Sequence, residues 1–138
     1  MRPAPEDRYG TRVASRLWVY TEGTVALFTV TGDVIIRMIG IVKDALTTSD
    51  AITAEVGVAG NTAVIIAQVA DATGLIGDEI WHDAAPDATI EAEDVMREFI
   101  ISNGQDVLLT KGGTLTAGEI QFYLFWRPLS YNGQVINT

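Results

Sequence analysis

The sequence predicts an all-β protein: an antiparallel β-sandwich or jelly-roll-like fold of about eight strands in one domain. Runs of β-branched and aromatic residues alternate with Gly- and Asn-containing turns at intervals of about 8 to 12 residues. No segment with helical periodicity is long enough to connect parallel strands, which argues against βαβ units. A chain of 138 residues is large enough to bury one hydrophobic core.

Three regions are expected along the chain. An extended N-terminal arm covers residues 1–11, the sandwich domain covers 12–130 and a C-terminal tail covers 131–138. Pro3 and Pro5 favour extended backbone in the arm. The polar tail is predicted to be a loose arm or a short edge strand, so truncation after Arg127 is expected to leave the fold intact and to weaken assembly.

The strands are assigned from alternation and from the turns between them. They are predicted at residues 12–20, 24–31, 34–42, 51–58, 62–69, 97–102 and 105–110, with short strands possible at 79–82 and 114–116, and a long last strand that ends at Pro128. The turns at Gly32-Asp33, at 59–61 and at Asn103-Gly104 predict hairpins between the flanking strands.

The segment at residues 70–86 is rich in Gly, Asp and Ala and is predicted to be a long connection from one sheet to the other. The chain that follows from Glu91 fits one or two helical turns, or an edge that leads into the strand at 97–102.

The last strand is apolar on both faces. Ile120, Phe122, Leu124 and Trp126 share one face, while Tyr123 and Phe125 lie on the other. A sheet with one wet face needs only one apolar side, so the second apolar side predicts a partner chain.

Residues 34–42 and 62–69 show the same two-sided character, which favours a homo-oligomer because monomers seldom expose large apolar patches. The predicted oligomer interface consists of Arg37, Phe122, Tyr123, Phe125 and Trp126. Arg37 interrupts an apolar strand and therefore requires an acidic partner, from the same chain or from a neighbouring one.

Charge is distributed unevenly along the chain. The formal net charge is −9, whereas residues 1–16 hold four Arg, one Glu and one Asp, which is 4 − 2 = +2. The rest of the chain is strongly acidic, which argues against nucleic-acid binding. The basic arm suits docking onto an acidic protein surface, with Arg2, Arg8 and Arg12 as its contacts, although a solubilising terminus is the simpler explanation.

The composition excludes several other classes. The absence of cysteine excludes disulfides and thiolate metal sites. The apolar runs are shorter than the ~20 residues of a membrane helix, and the N-terminus lacks the apolar core of a signal peptide. We therefore expect a protein that is made inside the cell and does not bind membranes.

No catalytic set is visible. His82 is the single histidine and no G-x-S-x-G motif is present, so neither a serine triad nor a His-rich metal site is expected. The acids between Asp71 and Asp94 are predicted to form a solvated loop, with divalent-cation binding left open. The tryptophans are assigned to packing, although Trp81 beside the acidic loops also suggests sugar binding. We expect no enzymatic activity and no cofactor.

Four segments together resemble small β-rich virion proteins of tailed bacteriophages. They cover residues 55–68, 77–91, 102–110 and 115–130. The resemblance implies a capsid decoration or cement protein of the phage head that trimerises and binds the major capsid protein. The alternative is a tail, neck or fibre module that binds the host surface or carbohydrate.

Overall fold

The computed structural model describes residues 10–85 and 88–138, and in them the chain forms ten strands and no α-helix. The strands are β1 (Arg12–Val19), β2 (Val25–Thr31), β3 (Val34–Thr47), β4 (Ala54–Val58), β5 (Asn61–Val69), β6 (Ile80–Trp81), β7 (Phe99–Ile101), β8 (Val107–Lys111), β9 (Ala117–Pro128) and β10 (Gln134–Asn137). The all-β prediction is confirmed. The strands number ten rather than about eight, and no strand forms at 114–116.

Two five-stranded antiparallel sheets face each other. Sheet 1 has the order β1-β9-β3-β6, with β7 also paired to β3, and sheet 2 has the order β10-β2-β8-β4-β5. The core lies between them and is built from alternate side chains of both sheets, such as Ile36 and Leu124 from sheet 1 and Phe28 and Leu109 from sheet 2. The fold is therefore an antiparallel sandwich.

One face of β9 supplies this core. Ile120, Phe122 and Leu124 are fully buried, and Trp126 keeps only 9% of its surface. The prediction that Phe122 and Trp126 contact a partner is therefore wrong in this fold, because the opposite sheet of the same chain already covers both side chains. Tyr123 and Phe125 point to the other side and stay half-buried.

Two of the three predicted hairpins are instead crossings between the sheets. β2 belongs to sheet 2 and β3 to sheet 1, while β7 belongs to sheet 1 and β8 to sheet 2. Only β4 and β5 pair with each other, across Ala59 and Gly60. Turn residues reverse the chain locally, but they do not decide whether the next strand pairs beside the last one or across the sandwich.

The two crossing turns are bound to each other at one end of the sandwich. The Asp33 carboxylate accepts a hydrogen bond from the Asn103 backbone N–H at 2.8 Å, and the Gly104 N–H donates to the Gly32 carbonyl at 2.9 Å. The Leu129 N–H donates to the Asp33 carbonyl at 2.9 Å. Three connections that are distant in sequence are thereby held together.

The C-terminal segment belongs to the sandwich. β10 pairs with β2 from Gln134–Thr31 to Asn137–Phe28, and Val135 is buried in the core. Of the two predictions for the tail, the edge strand is the one observed. The boundary at residue 130 is therefore wrong, because the chain beyond it completes sheet 2.

The long connection does cross from sheet 2 to sheet 1, as predicted. It enters sheet 1 at β6, where Trp81 is fully buried and its ring centre lies 6.1 Å from that of Phe122. A single 3-10 turn at Glu93–Val95 precedes β7, so the chain after Glu91 contains both a short helical turn and a strand.

Candidate interaction surface on sheet 1

The outer face of sheet 1 is formed by the side chains that β1, β9, β3 and β7 direct away from the core. The strand register places Val13, Phe125 and Arg37 in one row, and Ser15, Tyr123 and Ile39 in the next. Opposite residues of an antiparallel pair share a face, so these rows form one continuous surface. Its apolar members are Val13, Leu17, Val19, Ile35, Ile39, Ile41, Ile100, Tyr123 and Phe125.

This face is apolar although it is open to solvent. Val13 is 56% exposed and Ile100 is 70% exposed, while Ile35, Ile39, Ile41, Tyr123 and Phe125 are half-buried. The solvent face of an antiparallel sheet normally carries polar side chains. The sequence-based prediction that β3 and β9 are apolar on both faces is therefore confirmed, and the second apolar side is uncovered in the described part of the chain.

Two arginines on this face are paired within the chain. Arg37 Nη1 lies 2.7 Å from Glu93 Oε1, and its guanidinium carbon lies 5.4 Å from the centre of the Phe125 ring. Arg127 Nη2 lies 3.4 Å from Glu98 Oε2. The acidic partner predicted for Arg37 is thus Glu93 of the same chain, and the Arg37 side chain is half-buried rather than enclosed.

The predicted site residues separate into four groups, one of which is the buried pair Phe122 and Trp126. Arg37, Tyr123 and Phe125 lie together on the outer face of sheet 1. Arg12 begins β1, and its guanidinium carbon lies 5.1 Å from the centre of the Trp126 ring. Arg2 and Arg8 lie outside the described residues.

Sequence reasoning missed Val13 and Leu17 on β1 and Ile100 on β7. In β1, Val13 and Leu17 share one face with Ser15 and Val19, whereas Ala14 and Trp18 lie on the other. This alternation is visible in the sequence and would have revealed the surface, because it places apolar residues on both faces of a third strand.

His82 lies at the end of β6, next to Trp81, and links parts of the long connection. Its Nδ1 lies 3.6 Å from Asp83 Oδ2, and its Nε2 lies 3.3 Å from Glu91 Oε1. Among the described residues, no group of three or more His, Cys, Asp or Glu side chains is arranged to hold a metal ion. His82 therefore lies between two carboxylates of the loop that follows β6.

Trp18 and Trp81 offer no open ring face for a sugar. Trp18 and Trp81 are buried in the core, and Trp126 is almost as enclosed. The interpretation of Trp81 as a carbohydrate-stacking residue is therefore wrong, because the side chain points between the sheets. A cavity of about 900 Å³ does open at the β9–β10 connection, where Arg12, Trp126, Leu129, Tyr131, Asn132 and Gln134 line it.

No helix in the described residues is long and apolar enough to span a bilayer.

Comparisons with known proteins add little to this description. No protein family matched the chain, and no curated protein matched it. A solved structure described as "Bacillus endospore appendages form a novel family of disulfide-linked pili" is similar over 87% of this chain and 88% of that one, with 11% identity and a TM-score of 0.38. A similarity this low carries no argument about function.

Proposed function

We propose that this protein is a non-enzymatic structural protein of a bacteriophage particle, a capsid decoration or cement protein that self-associates and binds the major capsid protein. The observation that supports self-association is the uncovered apolar outer face of sheet 1. The phage head as its location, and a trimer as its oligomer, come from the resemblance of the sequence segments described above.

The outer face of sheet 1 suits a second copy of the chain. Its arginines Arg37 and Arg127 are already paired with Glu93 and Glu98, so a partner needs no charge of its own there. The chain carries a net charge of −9, so copies repel each other over most of their surface. The apolar part of the face around these paired arginines is the place where two copies can meet, and a standard interface buries roughly 800 Å² per partner.

Attachment to the shell is assigned to the N-terminal region. Arg12 is exposed at the start of β1, and Arg2 and Arg8 precede it in the sequence. A basic stretch on an acidic body suits an acidic patch on the capsid surface. Contacts of modest strength become effective when an oligomer presents several of them to a repeating lattice.

The test of self-association is the mass of the purified protein in solution, measured by sedimentation over a wide concentration range. Val13→Glu and Ile100→Glu place a charge on exposed positions of the outer face, and each should weaken association at least about tenfold because a carboxylate would be buried without a partner. Ile90→Glu is the matched control, because Ile90 is 84% exposed and lies in the loop between β6 and β7.

The measured mass also gives the oligomer number. A protein that stays monomeric at millimolar concentration would overturn self-association, and so would outer-face variants that associate like the control. Capsid attachment is tested separately by co-sedimentation with phage heads, where Arg12→Glu should reduce the bound fraction. If phage heads bind neither the unmodified protein nor the Arg12→Glu variant, the decoration role is overturned and self-association is unaffected.

A further inference from the structure

The edges of the two sheets differ in how they are protected. A sheet edge presents unpaired N–H and C=O groups that can pair with another chain. At one side of the sandwich the edges β1 and β10 bind each other: Arg16 Nε donates to the Thr138 carbonyl at 3.0 Å, and Asn137 Nδ2 donates to the Ser15 carbonyl at 3.2 Å. These hydrogen bonds connect the two sheets along that side of the sandwich.

The other side of the sandwich is open along β5. The strands β6 and β7 of sheet 1 are only two and three residues long, whereas β5 of sheet 2 has nine residues and pairs only with β4 within the described chain. A groove of about 380 Å³ follows β5, lined by Ala63, Val64, Ile65 and Ala67 on one wall and by His82, Asp94 and Arg97 among others opposite.

The sequence of β5 lacks the usual protection of an edge strand. Natural edges carry charged residues, especially Lys, or Pro, or are very short. β5 reads NTAVIIAQV, with no charge and no proline. Its register against β4 shifts on both sides of the Val56–Ile66 pair; such bulges also protect an edge, and they confine a further pairing to the residues around Ile66.

We propose that the middle of β5 pairs antiparallel with β5 of a second copy, so that the sheets 2 of two copies join into one continuous sheet. This inference rests on the proposed self-association. Antiparallel pairing of a strand with its own copy is the contact that a two-fold axis produces, and it brings the same apolar residues together from both sides. A strand without charge is also where two copies of net charge −9 meet with the least repulsion.

This contact is separate from the outer face of sheet 1. An edge contact is made by backbone hydrogen bonds in the plane of sheet 2, whereas the outer-face contact is made by side chains packed on sheet 1. A subunit with two different contact surfaces can extend an assembly beyond a pair.

Amide hydrogen exchange distinguishes the two contacts. The full-length protein is compared at concentrations below and above its association midpoint. Pairing of β5 should slow the exchange of amides in residues 62–68 by at least about tenfold on association. Ala67→Lys puts a charge on the exposed edge and should abolish this protection, whereas Ala84→Lys, at an exposed position of the long connection, should retain it. Thermal unfolding verifies that both variants are folded.

Each result has one meaning. Association with unchanged exchange in β5 overturns the edge contact and leaves the proposed function intact. Protection of β5 that appears only when phage heads are added also overturns it, because the strand partner is then another protein. A protein that is monomeric at all concentrations overturns the proposed self-association and this inference with it. Protection on association that Ala67→Lys removes and Ala84→Lys retains supports the edge contact.

Discussion

The guanidinium of Arg37 lies 2.7 Å from the Glu93 carboxylate and stacks over the ring of Phe125. The contact fastens the 3-10 turn at Glu93–Val95 to β3, so the loop between β6 and β7 is held against the same face that we propose as the interface between copies. It also neutralises the cation in the middle row of that face. Removing Glu93 should therefore affect association more than folding.

Glu93→Gln is expected to lower the free energy of unfolding by at most about 1 kcal/mol, because Glu93 is largely exposed and such pairs contribute little. Association should weaken about fivefold, since the guanidinium would enter the contact without its partner. Sedimentation and urea unfolding give the two numbers. A double-mutant cycle with Arg37→Gln isolates the pair. If the two substitutions are additive in association, the pair has no role in it.

Val135→Ala should destabilise the fold by about 2 kcal/mol, because it leaves a cavity between the sheets. Ile136→Ala is the matched control on the exposed side of β10 and should change stability by less than about 0.5 kcal/mol. Deleting residues 134–138 removes the edge strand of sheet 2 and should unfold the protein, as read by circular dichroism. If the truncated protein folds, the sequence-based prediction that residues 131–138 form a tail outside the sandwich is correct.

Gly57→Ala is expected to cost at least about 3 kcal/mol. A Cβ at this position would overlap the Asn61 carbonyl oxygen and the backbone of Thr62, which cannot move without breaking the β4–β5 hairpin. Gly74→Ala is the control, because a Cβ there meets no atom within 4 Å. Chemical denaturation measures both variants. Equal stabilities would mean that β5 does not pass over Gly57 as described.

Acid should weaken the contact between Arg16 and Glu22. Partial burial raises the pKa of Glu22, but hydrogen bonds from the Arg16 guanidinium and the Val19 N–H, together with the charge of Arg16, hold it below its ordinary value of 4.5. The pKa of Glu22 is lower in the folded state than in the unfolded state. The stabilisation is therefore complete above the ordinary value of 4.5 and is lost as the pH falls through the folded-state pKa.

Glu22→Gln should therefore lower the unfolding free energy at pH 7, by less than about 1 kcal/mol because the group is mostly solvated. The difference in stability between Glu22→Gln and the unmodified protein, measured by thermal unfolding, should shrink as the pH falls towards 3. Asp50→Asn serves as the control, as Asp50 forms no ion pair within the described residues. A difference that stays constant with pH would show that Glu22 acts through packing rather than charge.

About half of the candidate surface was predictable. Arg37, Tyr123 and Phe125 were identified because apolar residues occur on both faces of β3 and β9, which is a property of alternation alone. Alternation does not say which of the two faces turns inward, so residues of both faces, Phe122 and Trp126 among them, were assigned to the interface. Ile100 was missed because β7 is too short for its period to be recognised.

The sequence by itself determined that the chain is all-β, the approximate position of most strands, and that two long strands are apolar on both sides. These properties depend on residues that are neighbours along the chain. The tertiary structure decided which turns join strands of one sheet and which cross between sheets. It also decided that Trp81 is buried and that β10 completes sheet 2. Those outcomes depend on contacts between distant segments, such as the hydrogen bond from Asn103 to Asp33, which no local pattern contains.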